Sequence, residues 1–289
     1  MRKPPVVLAV SAVLLIGGLA GCASTASASS ASSPGAARVL YAGSLANLME
    51  HDLGPAFQQA TGGTFEGVGA GSTQLVTEIK GRTTLADVFI SASTDADSGL
   101  IGAGNGDWES WYATFATAPL VIGYNPNSTF AADLRGKPWQ QVITEPGFRM
   151  GSTDPKLDPK GKLAAQALTE ARISSGAVSV FPEEQLVGRL QSGQLDAGFF
   201  YSNEAAEQNI PTIGLGSIGL GSVKLQATYT VTVLNRAPDQ TAAISFVRYL
   251  LGAAGQALLR KHGLTLRPVT VTGDSGAVPA ELRGALRVG

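Results

Sequence analysis

The sequence predicts an α/β fold built on a parallel sheet. Three observations carry that prediction. Apolar strand-like runs alternate with helix-like runs from residue 39 onward, the first of them follow a β-α-β-α-β order, and two strand-like runs end in a small turn that delivers a serine to the start of a helix. In a sheet of this kind the functional loops lie at the carboxyl ends of the strands.

The elements follow in order. Residues 39–42 read as a strand, and 45–61 as a helix with Leu48, Met49, Leu53, Ala56 and Phe57 on one face. Residues 64–68 form a second strand, 73–80 a helix, and 86–92 a buried third strand. Ser44, Ser72 and Ser91 therefore fall at strand ends and share one rim. Strands at 119–124 and 149–151 come next, then helices at 163–173 and 182–190, the second opened by Pro182 in its first turn, and a strand at 197–201. A long β-branched strand spans 225–234, and helices at 240–251 and 253–261 are stopped by Gly252 and Gly263. The glycines of 214–221 predict a loop, and no internal repeat is present.

The amino terminus sets the location. Arg2 and Lys3 precede an apolar run over 6–19 that ends in Leu19-Ala20-Gly21-Cys22, the order of a secretory signal. The run is too short to favour a membrane span, and the cysteine after Leu-Ala-Gly resembles a bacterial lipobox, which makes residues 1–21 the signal and Cys22 the lipid anchor. Cys22 is the only cysteine, so no internal disulfide and no cysteine metal cluster can form. Residues 22–37, nearly all Ser, Ala and Thr, read as a flexible tether.

About 250 residues follow, enough for two ordinary domains or one large one. Loss of Arg2 and Lys3 moves the formal charge from −1 to −3, too weakly acidic to suggest nucleic acid or an anionic membrane as partner. An anion bound here must be held by local dipoles. The turns Ala42-Gly43-Ser44-Leu45 and Ala70-Gly71-Ser72-Thr73 supply them, because helix starts present free N–H groups and a positive dipole end. One such serine reads as an ordinary helix cap; two on one rim can grip one oxyanion.

The segments VLYAGSL at 39–45, AGST at 70–73, ADVFISA at 86–92, DPKLDPKG at 154–161 and GFFYS at 198–202 resemble, in order and spacing, the molybdate- and tungstate-binding proteins of ABC importers. The resemblance spans nearly the whole mature chain. It implies a two-lobed periplasmic-binding-protein fold of type II with the ligand in the cleft. Lobe one would comprise 38–118 and 235–289, and lobe two 119–234, with 119–124 and 225–234 as crossover strands about which the lobes close. It implies an extracytoplasmic, membrane-anchored monomer that is not an enzyme, carries no cofactor or protein-bound metal, and hands molybdate or tungstate to an ABC permease.

The same resemblance implies the ligand donors: the hydroxyls and N–H groups of Ser44 and Ser72, the Tyr201 hydroxyl, the N–H of Lys160, and an N–H at Glu183 or, with a one-residue shift, Glu184. Thr73 is a further candidate. All are neutral donors, which suits a tetrahedral dianion. The archaeal tungstate-binding branch adds two carboxylates that complete an octahedral centre. Asp158 matches the first, but Phe200 stands where the second would be. A lone carboxylate beside a dianion is repulsive, since even unit charges a few ångströms apart at intermediate dielectric cost about 4 kcal/mol. Asp158 is therefore expected to cap the turn that follows it, with the anion bound as a tetrahedron and no protein–metal bond.

Other residues point elsewhere only weakly. His51 and His262 lack spaced partners for a metal or a Ser-His-Asp triad and read as surface or helix-end histidines. Asp87 reads as structural, and Trp108, Trp111 and Trp139 as packing residues at core or cleft edges. Gly67, Gly69 and Gly71 lack dinucleotide or P-loop spacing. Two alternatives stay open: a receptor of the same fold for sulfate, phosphate or a small carboxylate, and a secreted hydrolase using Ser44 or Ser72. The second lacks a Gly-x-Ser-x-Gly elbow and a paired base.

Overall fold

The computed structural model describes residues 35–216 and 225–288. Of the chain's two units, Met1–Ser32 lies outside these residues, and the fold belongs to Ser33–Gly289. The expected signal, Cys22, most of the tether and the centre of the glycine loop also lie outside the described residues.

Strand β1 (Ala36–Ala42) starts inside the expected tether because Ala36 and Ala37 pair with Thr64 and Phe65. It lies parallel to both β2 (Thr64–Ala70) and β3 (Val88–Ser91). The segment expected as one helix over 45–61 is broken into a 3-10 turn at Gly43–Leu45, a π-helical stretch at Leu48–Leu53 and helix α1 (Gly54–Thr61). Pro55 explains the break. Its ring lacks an N–H and excludes the carbonyl four residues back, and the wider turn lets the Gly54 N–H reach the Met49 carbonyl. Helix α2 (Ser72–Gly81) follows β2 directly.

After α3 (Thr94–Ser98), the fourteen-residue strand β4 (Trp111–Tyr124) links two parts of the sheet. Its first half pairs with β9 (Gln226–Val233) and β10 (Thr265–Gly273); its second half pairs with β7 (Ala197–Tyr201) and β8 (Thr212–Gly214). Between those pairings the chain forms α4 (Ala131–Gly136), α5 (Trp139–Val142), β5 (Met150–Thr153), α6 (Pro159–Glu170), β6 (Val178–Phe181), α7 (Glu183–Gln191) and, after β7, α8 (Ser202–Glu207). β5 runs parallel to β6 and β7, so the order across the sheet is β2-β1-β3-β9-β4-β7-β5-β6.

The carboxyl-terminal helices α9 (Gln240–Leu251) and α10 (Ala253–Lys261) precede β10, and α11 (Ala280–Leu286) closes the chain. Phe246 of α9 packs edge-on to Phe57 at 5.3 Å and stacks on Phe65 at 5.6 Å, which fastens α9 over β1, β2 and α1. Strand β10 escapes sequence reading because Pro268 argues against a strand interior. A register shift between Leu266 and Thr270 accommodates it. Gly67 and Gly69 also find a structural role, since a Cβ at either would lie within 3 Å of the Tyr41 ring.

Candidate functional site

Six strand ends carry the site. From β1, β2 and β3 come the turns before Ser44 and Ser72 and the segment after Ser91; from β5, β6 and β7 come Thr153 to Asp158, Glu183 and Tyr201. The two sets meet. Gly71 lies so close to the loop before α6 that a Cβ there would sit 2.5 Å from the Leu157 carbonyl, and the Gln74 N–H donates to that carbonyl at 3.0 Å. Gly43 faces the Glu183 carboxylate, which a Cβ would overlap. Asn203 Nδ2 donates to the Ser44 carbonyl at 3.0 Å. The start of α2 thus faces the start of α6, and the turn at Ser44 faces the starts of α7 and α8, a convergence of N–H-rich ends suited to an anion.

On the first side the hydroxyls are already positioned. Ser44 Oγ hydrogen-bonds Tyr229 Oη at 2.9 Å, and Tyr229 Oη also donates to Asn203 Oδ1 at 3.3 Å. Ser72 Oγ accepts from the Ala92 N–H at 3.1 Å, which leaves its own proton for another acceptor. Ser91 is turned inward, bonding Thr230 Oγ1, Asp97 and the Ser93 carbonyl. Thr73 lines a groove of about 300 Å³ shared with Ser93, Lys156 and Lys162.

The second side is charged. Asp158 caps α6 through Oδ1, which accepts the Lys160 N–H at 2.9 Å. That corrects the expectation for Lys160, whose N–H serves the cap and whose side chain does other work. Its Nζ, fully buried, donates to Glu204 Oε1 and Oε2 at 2.8 Å each and to Glu183 Oε1 at 3.1 Å. It also lies 5.6 Å from the Phe200 ring and 5.9 Å from the Tyr201 ring. Burial works against this ammonium, but Glu204, Glu183 and Asp158 hold it well above its usual range. Burial pushes the Glu204 carboxyl up, with Lys160 opposing. A donor set of neutral groups alone therefore does not describe the site.

Among the described residues, Thr153 Oγ1, Asp158 Oδ2 and Tyr201 Oη are buried and make no hydrogen bond within the protein. They are neighbours. Thr153 lies near enough to favour the charged form of Asp158, and Asp158 in turn helps drive the Tyr201 hydroxyl far above its ordinary range, behind the larger effect of burial. Buried polar atoms without partners are costly, so these three on the ends of β5 and β7 and the cap of α6 mark a place for a polar ligand.

Among the described residues, neither serine meets a histidine base. His51 is exposed, and His262 is buried between Glu207, 2.8 Å from Nδ1, and Asp52 on Nε2. His262 is thus a helix-end residue, at the carboxyl cap of α10, but it is buried and not on the surface. Sequence reasoning missed Thr153, the Lys160 side chain, Asn203, Glu204 and Tyr229. One signal was available, since a lysine in the first turn of a helix opposes the dipole and calls for a partner elsewhere.

Two α/β halves sharing β4 and β9, with their strand ends turned toward each other, make a two-lobed periplasmic-type binding protein. Residues 37–265 match the family described as bacterial extracellular solute-binding protein, and the chain belongs to that family. A solute-binding protein of Halobacterium salinarum is 28% identical over 278 residues, covering 84% of this chain and 88% of the relative. The molybdate/tungstate-binding protein WtpA of Thermococcus kodakarensis is 26% identical over 240 residues, 63% of this chain and 67% of the relative. The periplasmic molybdate-binding protein of Azotobacter vinelandii superposes with a TM-score of 0.65 at 19% identity, over 80% of this chain and 99% of that one, and shares the fold.

Proposed function

We propose that this protein binds a tetrahedral oxyanion, molybdate or tungstate, outside the cytoplasmic membrane and delivers it to an ABC permease. The observation that carries the reading is the buried Tyr201 hydroxyl, which like Thr153 Oγ1 and Asp158 Oδ2 has no partner among the described residues, on the side of the protein whose loops meet the turns at Ser44 and Ser72. Ser44, Ser72 and Tyr201 supply hydroxyl donors, and the start of α7 at Glu183 and Glu184 supplies N–H groups. The names of the relatives from Thermococcus and Azotobacter support the choice of ligand.

The lipobox-like Leu19-Ala20-Gly21-Cys22 supports anchoring through a lipidated Cys22, with 22–37 as tether. In this reading the protein acts as a monomer without enzymatic activity, cofactor or metal of its own, and closes by movement about the crossover segments 119–124 and 225–234. A thermal-shift and calorimetric screen of the purified protein against molybdate, tungstate, sulfate, phosphate and chromate tests it. Strong stabilisation by the first two anions is expected. Binding of neither at millimolar concentration rejects the reading.

A further inference from the structure

The acceptor at Asp158 poses a charge problem for any dianion. Its Oδ1 is used by the α6 cap, while Oδ2 is buried with no partner at hydrogen-bond geometry among the described residues, and the Thr153 hydroxyl lies near the carboxylate. The charged and titratable groups facing Asp158 are Lys160 on its own helix, Glu183 from α7 and Tyr201 from β7, with the neutral Thr153 from β5 and the main chain of Gly71 from across the cleft. Lys160 is its only cationic neighbour among these, and that ammonium is already engaged by both Glu204 oxygens and by Glu183. An ionised Asp158 and an incoming dianion would thus face each other in a region shielded from water, where like charges interact strongly.

We propose that one proton enters the cleft with the oxyanion and is held between Asp158 Oδ2 and a ligand oxygen, so that Asp158 selects oxyanions by basicity. This inference rests on the oxyanion reading above. The proton comes from solvent on binding and returns there on release; no covalent bond is made or broken. Asp158 is the group suited to hold it, because Glu204 and Glu183 both accept from Lys160 whereas Asp158 Oδ2 has no partner at hydrogen-bond geometry among the described residues. Burial raises the Asp158 carboxyl above its ordinary range before any ligand arrives, which favours the protonated form further. Molybdate and tungstate, the more basic anions, share such a proton better than sulfate, whose shape and charge are alike. The site can then reject sulfate without a size filter.

Calorimetry of molybdate binding in buffers of different ionisation enthalpy counts the protons directly. The purified protein is expected to take up about one proton per anion near pH 8, with affinity falling about tenfold per pH unit across that range, where free molybdate keeps its charge. Asp158→Asn keeps the cap acceptor and supplies an N–H donor in place of the proton. It is expected to bind without proton uptake, to lose the pH slope, and to narrow the molybdate-to-sulfate preference by on the order of tenfold. Tight binding by the wild type with no proton uptake overturns the inference alone, as does uptake that persists in Asp158→Asn. Failure to bind any oxyanion overturns the reading on which it rests, and this inference with it.

Discussion

The two walls of the cleft are built on different principles. On the β1–β2 side, Ser44 and Ser72 are neutral and already bonded to Tyr229 and to the Ala92 N–H, so each is oriented before a ligand arrives. On the β5–β7 side, a buried ammonium is balanced by Glu204 and Glu183, and three polar atoms stand without partners. The first wall gains specificity from geometry that the fold has already set. The second depends on a charge balance that is costly to disturb and leaves buried polar atoms for a ligand to satisfy.

Breaking that balance should have the largest effect. Lys160→Met strands two carboxylates in the interior and is expected to lower stability by about 3–5 kcal/mol in denaturant unfolding, whereas Lys160→Met combined with Glu204→Leu recovers most of the loss. Recovery of nothing would mean that Lys160 does not act through Glu204. On the opposite wall, Ser44→Ala with Ser72→Ala removes two hydrogen bonds to a charged ligand, each contributing about 1.5–3 kcal/mol, so molybdate affinity should fall by on the order of a hundredfold or more. Tyr201→Phe removes a single donor, costing roughly tenfold to a hundredfold in affinity. Because the Tyr201 hydroxyl has no partner among the described residues, the melting temperature of the ligand-free variant should not drop.

The smallest effect sharpens the contrast from beneath the first wall. Burial pushes Asp97 to about 7 and Glu109 to about 10, the second also raised by Asp97. Both native carboxyls hold protons more tightly than the unfolded chain does. Their contribution is therefore favourable at low pH and is lost as pH rises through about 7 and about 10. Melting curves of the ligand-free protein should show stability declining along that window, and Glu109→Gln should flatten the alkaline part while leaving oxyanion affinity unchanged. An unchanged slope would show that Glu109 does not titrate there.

Much of the fold was legible because it rests on local signals. The β-α-β-α-β order, the serine turns and the Asp158 cap are each set by neighbouring residues, and the parallel pairing of β1 with β2 and β3 follows from them, although the helix expected over 163–173 starts earlier, at Pro159. What escaped depends on distant partners. Nothing local reveals that Lys160 turns inward to Glu204, 44 positions away, or that Tyr229 reaches Ser44 across 185. Pro268 hid β10 because the bulge that admits it is fixed by the facing strand β4. His262 read as unremarkable because Asp52 and Glu207 lie far from it in sequence.

The most direct test of the shared cleft is a crystal structure of the protein grown with tungstate, whose anomalous scattering locates the anion independently of shape. The account predicts one tungsten centre between the two walls, with its oxygens at about 2.6–3.0 Å from Ser44 Oγ, Ser72 Oγ and Tyr201 Oη. A tungsten centre seated in the groove by Lys156 and Lys162, or bonded directly to Asp158, would contradict it.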